Sequence, residues 1–194
     1  MAAVPTRPNQ REHILDVALE LMSEQGAGTT SMRQLAKACG LQVAALYHYF
    51  ESKDALLAAV IEERRYGARL AEPPAVDPSL PPDARVRLVF SAVWQGAMDE
   101  EPIWRLLLGE ALRGEPAAIP VGHALLTVLG PGLEAWLGDA IPELDDPAAA
   151  ASLVVGQLFA GFVRHIFDPL LDVAEIERSG GDALVALLGA RAVD

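Results

Sequence analysis

Apolar residues recur every three or four positions along most of this chain, which is the spacing of an amphipathic α-helix. The first such stripe predicts a helix from about residue 10 to Gln25, which Gly26 ends. Ser52 is a suitable N-cap for the fourth helix, which we expect to continue to about Leu70. No alternating pattern typical of strands appears, so the chain is predicted to be all-α.

Later breaks are marked by proline and glycine. Five prolines between residues 72 and 83 indicate a linker or surface loop. Gly130-Pro131-Gly132 predicts a kink or a split in an otherwise apolar helix. Asp146 is expected to cap the eighth helix, which runs to about Phe167, and Gly180-Gly181 is expected to separate off a last helix.

The stretch from Thr29 to Lys53 has the pattern of two short helices joined by a tight turn. Thr30 and Ser31 are N-cap residue types at the start of the first helix, and Gly40 ends it in a left-handed conformation. The second helix runs from Gln42 to Phe50. Two helices joined in this way predict a helix-turn-helix, whose second helix can enter the major groove of DNA.

Over roughly residues 10 to 65 the chain resembles the N-terminal domain of TetR-family transcriptional regulators. The positions that match the family pattern are Thr30, Leu35-Ala36, Ala38-Cys39-Gly40, Leu46-Tyr47-His48-Tyr49-Phe50 and Lys53. The resemblance implies a three-helix DNA-binding domain over residues 1–55, with the motif at about 31–50. It also implies a larger helical domain for ligand binding and dimerisation over residues 56–194.

The resemblance and the side-chain chemistry together suggest how the motif would meet DNA. Arg33 is a candidate for a bidentate contact with guanine, although a solvated surface charge is an equal alternative. Tyr47, His48 and Lys53 match phosphate-contacting positions, although Tyr47 can also serve in packing. Gln42 can read adenine but is a poor cap. The full candidate set is Thr30, Ser31, Arg33, Gln42, Val43, Ala44, Ala45, Tyr47, His48, Tyr49 and Lys53.

Two further candidate sets lie in the second part of the chain. Aromatic, apolar and isolated polar residues are candidates for lining an effector cavity. Plain core packing is the better explanation for any one of the apolar residues, and a neighbouring carboxylate or water is the commoner partner of a buried polar group. They are Trp94, Met98, Trp104, Arg105, Leu107, His123, Leu126, Gln157, Phe159, Phe162 and His165. Small and apolar residues of the last helices are candidates for a four-helix homodimer interface, as in the resembling family: Gly156, Ala160, Gly161, Leu184 and Leu188.

The charge of −12 is unevenly distributed. Residues 1–70 carry eight basic and eight acidic groups, so the remaining seven basic and nineteen acidic groups hold all of the net charge. Non-specific affinity for DNA is therefore expected to be modest. The single Cys39 excludes an internal disulfide and favours a cytoplasmic location. We expect no apolar run to be long enough to cross a bilayer, and therefore no membrane partner.

These observations predict a regulator that binds double-stranded DNA at a near-palindromic operator as a homodimer. It is expected to be a repressor that a small apolar or amphipathic effector releases from DNA. One alternative is a DNA-binding regulator with no small-molecule ligand, or with a protein partner in its place. An all-α enzyme has the least support, because the chain has no metal-binding cluster, phosphate loop or nucleophile motif and implies no cofactor.

Overall fold

The computed structural model describes residues 9–63, 73–116 and 118–189, and every regular element among them is an α-helix. The all-α prediction is therefore confirmed. The helices of this described part are α1 (Gln10–Gln25), α2 (Met32–Ala38), α3 (Val43–Tyr49), α4 (Lys53–Glu63), α5 (Pro82–Asp99), α6 (Glu101–Leu112), α7 (Ala118–Ala140), α8 (Pro147–Phe167) and α9 (Val173–Gly189).

Several helix ends lie where the capping residues predicted them. The Asn9 side chain accepts a hydrogen bond from the Arg11 amide at 3.2 Å and begins α1. The Asp146 carboxylate accepts from the Ala149 amide at 2.9 Å and begins α8. The Ser52 hydroxyl accepts from the Ala55 amide at 3.0 Å. The part of α4 that was expected between residues 64 and 70 lies outside the described residues.

Two of the expected breaks are absent. Helix α7 continues through residues 130–132, so the split expected there is wrong. Helix α9 likewise continues through Gly180 and Gly181. A β-carbon on Gly180 would lie 2.7 Å from the Phe90 ring, so the missing side chain lets this helix pack closely against α5. Packing therefore outweighs the low helix propensity of glycine.

One unit of the fold comprises the described residues of 1–66 and of 100–124, with α1 at its centre. Helices α2, α4 and α6 all pack against α1. The four residues of α1 at their interface are fully buried: Ile14, Leu15, Ala18 and Met22. The sequence-based boundary between residues 55 and 56 falls within α4, and as a boundary between domains it stays a prediction.

The other unit comprises the described residues of 67–99 and of 125–194. Helix α9 packs against both α5 and α8. Phe90 and Trp94 of α5 fill its core, with stacked rings whose centroids are 6.4 Å apart. A β-carbon on Gly161 of α8 would lie 2.7 Å from the Trp94 ring, so α8 also approaches α5 closely. Glycines thus set the helix spacing in this unit.

Helices α7 and α8 are long and apolar enough, by length and composition, to cross a membrane. The expectation that no apolar run reaches this length is therefore wrong, because glycines and uncharged polar residues extend these runs without adding charge. Only 18% of the apolar window of α7 and 33% of that of α8 are buried within the chain. Both helices therefore leave apolar surface uncovered.

Candidate nucleic-acid interface

Helix α2 begins with a complete capping box. The Ser31 hydroxyl accepts a hydrogen bond from the Gln34 amide at 3.2 Å, and the Gln34 side-chain oxygen accepts from the Ser31 amide at 2.8 Å. The Ser31 hydroxyl also donates to that oxygen at 2.7 Å. The start of α2 is fixed by its own side chains, and Arg33 beside it is exposed.

The turn between α2 and α3 depends on Gly40. Its φ is +67°, and its amide donates to the Lys37 carbonyl while the Leu41 amide donates to the Ala36 carbonyl at 2.8 Å. This pair of bonds is a Schellman ending, which favours glycine at the left-handed position. The predicted end of the first motif helix is therefore confirmed, and α3 begins three residues later at Val43.

Helix α3 is held by Leu46, its one buried residue, and by the buried Phe50 that follows it. Tyr47 is 49% exposed and Tyr49 40% exposed, and the rings of Tyr49 and His48 meet edge to face. Of the remaining candidates on this segment, Gln42 and Ala44 are exposed and Val43 and Ala45 are half-buried. Gln42 makes no capping hydrogen bond, as its residue type predicts.

Besides Ser31, the candidates Thr30 and Lys53 have internal hydrogen-bond partners. Thr30 is buried, and its hydroxyl donates to the Gly26 carbonyl at 2.8 Å. The half-buried Lys53 donates from Nζ to the carbonyl oxygens of Ala27 at 2.8 Å and Gly28 at 3.2 Å. Both residues hold the turn between α1 and α2, and their contacts with phosphate stay predictions.

Sequence reasoning missed a residue on the other side of this turn. Glu110 of α6 is buried, and its Oε1 accepts a hydrogen bond from the Ala27 amide at 3.1 Å. The available signal was its spacing, because Glu110 continues the buried stripe of Ile103, Leu106 and Leu107. A carboxylate on an apolar stripe needs a polar partner, and the partner of Glu110 is the Ala27 amide, 83 positions away in the chain.

Arg11 is engaged within the same unit. It forms an ion pair with Glu63, and its guanidinium lies 5.2 Å from the centroid of the Phe50 ring. The hydrogen bond to Glu63 raises the pKa of Arg11 further above its usual value. Arg11 therefore links α1 to α4 and to the end of α3, and Arg33 and Lys37 are exposed cations on α2.

The candidates for effector binding are divided between the two units. Trp104, Arg105, Leu107 and His123 belong to the first unit, and the second holds Trp94, Met98, Leu126, Gln157, Phe159, Phe162 and His165. Trp94 is fully buried, whereas Phe159 is 56% exposed and Leu126 63% exposed. Leu126 lines a surface cavity of about 420 Å³ between α7 and α8. The assignment of the set stays a prediction.

The candidates for a dimer interface differ in exposure. Gly156 and Ala160 face outward on α8, and no atom of the described residues lies within 4 Å of the position of a β-carbon on Gly156. Gly161 and Leu184 are buried within their own chain, and Leu188 is half-buried. Their assignment to an interface also stays a prediction, with Gly156 as the position best placed to report on it.

Residues 14–60 match a family described as bacterial regulatory proteins, tetR family. The regulator UidR of Escherichia coli (strain K12) is 42% identical over 65 residues, which cover 32% of this chain and 33% of UidR. BetI of Rhizobium meliloti is 32% identical over 119 residues, 59% of this chain and 58% of BetI. The chain thus spans about a third of UidR and less than two thirds of BetI.

Similarity in fold extends over nearly the whole chain. A transcriptional regulator from Rhodococcus sp. Rha1 has a TM-score of 0.70 at 20% identity, covering 93% of this chain and 96% of that one. A TetR-like transcriptional regulator from Rhodococcus sp. RHA1 has a TM-score of 0.67 at 25% identity, covering 96% and 100%. We conclude that the helix-turn-helix segment of this chain, residues 14–60, belongs to the tetR family of bacterial regulatory proteins, and that the chain as a whole shares the fold of these solved regulators.

Proposed function

We propose that this protein is a transcriptional regulator that binds operator DNA with helix α3 in the major groove. The observation that carries the proposal is the exposure of α3, whose Tyr47, His48 and Tyr49 face outward while Leu46 anchors the helix. A family of regulatory proteins gives no reason to assign an enzymatic activity. Such a regulator acts in the cytoplasm, and we propose that location with no membrane partner.

The exposed side chains differ in the kind of DNA contact that they can make, with phosphate or with a base. Tyr47 and His48 can donate hydrogen bonds to phosphate, which set the register on DNA. Lys53 has three donor hydrogens and uses two on carbonyl oxygens, which leaves one for phosphate. Ala44, with little chemistry of its own, can meet the methyl group of thymine. Exposed polar groups on α3 therefore position the protein more than they select a sequence.

The first test concerns Tyr47. Replacement of Tyr47 with alanine is expected to weaken binding to all duplexes by about 10-fold, since a hydrogen bond to a charged phosphate is lost. The ratio of specific to non-specific affinity should stay the same. Gel-shift titration on a duplex selected from a randomised pool by the wild-type protein, and on an unrelated duplex, measures both values.

Tyr47→Phe is the matched control, because it removes only the hydroxyl. Equal losses in the two variants would support a hydroxyl–phosphate contact, whereas full binding by Tyr47→Phe would assign the ring a packing role. A folded Tyr47→Ala protein that binds both duplexes as the wild type does would contradict the placement of α3 on DNA.

We also propose a homodimer formed through α8 and α9 on a near-palindromic operator. A single short recognition helix reads few bases, so two copies related by a two-fold axis are needed for useful specificity. Exposed Gly156, Phe159 and Ala160 give α8 an outward surface of small and apolar groups. A second copy would cover the apolar surface that α8 exposes.

The finer proposal is a repressor released by a small apolar or amphipathic effector in the unit that contains Trp94. The indole Nε1 of Trp94 is fully buried and has no hydrogen-bond acceptor among the described residues. An unsatisfied buried donor is unfavourable, so an effector that supplies an acceptor there would gain affinity. The proposal of a small-molecule ligand rests on this buried donor.

Reciprocity between effector and operator is the second test. If the effector weakens DNA binding by a coupling of about 1–3 kcal/mol, then operator must weaken effector binding by the same 5- to 150-fold factor. A thermal-shift screen would identify a stabilising compound, and calorimetry would measure its affinity with and without operator. Equal affinities would contradict effector release. The absence of any stabilising compound would favour a regulator with no small-molecule ligand, or with a protein partner in its place.

A further inference from the structure

Charged side chains hold the turn between α1 and α2 from two sides. On one side, Nζ of Lys53 donates to the Ala27 carbonyl at 2.8 Å and to the Gly28 carbonyl at 3.2 Å. On the other side, Oε1 of Glu110 accepts from the Ala27 amide at 3.1 Å. The amide and the carbonyl of Ala27 are therefore both held by side chains of helices that lie far away in the sequence.

Glu110 has little access to water, since the residue is only 4% exposed. Arg113, one helical turn later, donates from Nη1 to the same oxygen at 2.9 Å. The guanidinium of Arg113 also lies against Gly26, where a β-carbon would be 3.3 Å from Nη2. A buried carboxylate is unfavourable without partners, and here both of its partners belong to or lie against the turn.

The turn in question sets the direction of the DNA-binding helices. Gly26 has a φ of +84°, and its carbonyl accepts from the Thr30 hydroxyl at 2.8 Å. Ser31 then caps α2 directly. A displacement of Ala27 would therefore be carried through this short, hydrogen-bonded segment to α2, and through the Gly40 turn to α3.

We propose that Glu110 is a positioning residue for DNA binding. Its carboxylate holds the Ala27 amide so that α2 leaves α1 in the orientation that presents α2 and α3 to DNA. Glu110 does not touch DNA, because a buried anion would neither reach nor favour phosphate. The inference rests on the proposed DNA-binding function and adds to it a residue of α6, outside the helix-turn-helix.

A positioning residue changes DNA affinity in a distinctive way. Loss of the Glu110 hydrogen bond lowers the fraction of protein in the binding-competent conformation, and the apparent Kd rises in inverse proportion to that fraction. The phosphate contacts of the bound state remain, so the slope of log K against log salt should stay the same. Loss of a phosphate contact would instead reduce that slope by about 1.

The experiment compares Glu110→Ala with Glu110→Gln on a duplex selected by the wild-type protein from a randomised pool. Glu110→Ala is expected to bind this duplex about 10-fold more weakly, which corresponds to the loss of one hydrogen bond to a charged group. The slope of log K against log salt should not change. Glu110→Gln keeps an acceptor oxygen for the Ala27 amide and should restore most of the affinity. Glu101→Ala is the matched control, because Glu101 pairs with Arg105 on the same helix.

A folded Glu110→Ala protein with wild-type affinity would overturn the proposal, and so would equal losses in the alanine and glutamine variants. If Glu110→Ala does not fold, amide hydrogen exchange in the wild-type protein decides. Protection of the Ala27 amide is expected, and exchange at the rate of an open turn would overturn the inference. A wild-type protein that selects no duplex would instead overturn the proposed function on which the inference rests.

Discussion

Replacement of Arg33 with alanine is expected to weaken binding to the cognate operator by about 1–3 kcal/mol at each half-site, and to relax selectivity at one base pair of each. Arg33 is exposed at the second position of α2, within the capping box of Ser31 and Gln34 that fixes the start of the helix. Its guanidinium can bind both O6 and N7 of one guanine. In a dimer the two losses combine to about 2–6 kcal/mol.

Gel-shift titrations on the operator and on its single-base variants measure both effects. Arg33→Lys is the matched control, because it keeps the positive charge and loses the planar fork. We expect the lysine variant to retain the salt dependence and to lose the selectivity. Unchanged selectivity in the alanine variant would show that Arg33 is a solvated surface charge, which is the alternative that its sequence position leaves open.

Replacement of Gly161 with leucine is expected to destabilise the chain by about 3 kcal/mol, through overpacking of its core. A β-carbon alone would lie 2.7 Å from the Trp94 ring and 3.0 Å from a methyl group of Ile176. For a chain of this length the change corresponds to a fall in Tm of roughly 10 °C. Thermal unfolding followed by circular dichroism measures it, and an unchanged Tm would contradict the packing of α8 against α5.

Gly156→Leu is the matched variant on the same helix. Its β-carbon position has no neighbour within 4 Å in the described part of the chain, so the protomer should keep its stability or gain up to about 1 kcal/mol of helix propensity. If α8 forms the proposed homodimer, however, a leucine there should separate the subunits. Light scattering at micromolar concentration measures the assembly. A wild-type monomer, or an unaltered dimer in the variant, would argue against this interface.

Features encoded by neighbouring residues were predictable from the sequence. The ends of α2 follow from Ser31 and Gly40, and the start of α8 follows from Asp146, because caps act within one helical turn. The burial of Leu46 and Phe50 follows from their spacing, because apolar residues four positions apart share one face of a helix. The helix-turn-helix was recognisable because all of its signals are local.

Features that depend on distant contacts were not predictable in the same way. Glycine has a low intrinsic helix propensity, which favours a helix break at Gly180. Gly180 nevertheless lies within α9, because Phe90 of α5 occupies the space beside it. Lys53 matches a phosphate-contacting position, but its ammonium group also holds a turn 25 and 26 residues earlier. Only the fold shows that Glu110 meets Ala27.

The placement of residues 100–124 in the unit of residues 1–66 has a practical consequence for chimaeric regulators. A fragment that stops at residue 66 would lack α6, leaving one apolar side of α1 uncovered and the Ala27 amide without its acceptor. A chimaera that takes only this N-terminal fragment from one regulator and the rest from another would pack α1 against the α6 of the other regulator. A transplant of DNA specificity should therefore carry α6 with it, as two separate pieces of chain.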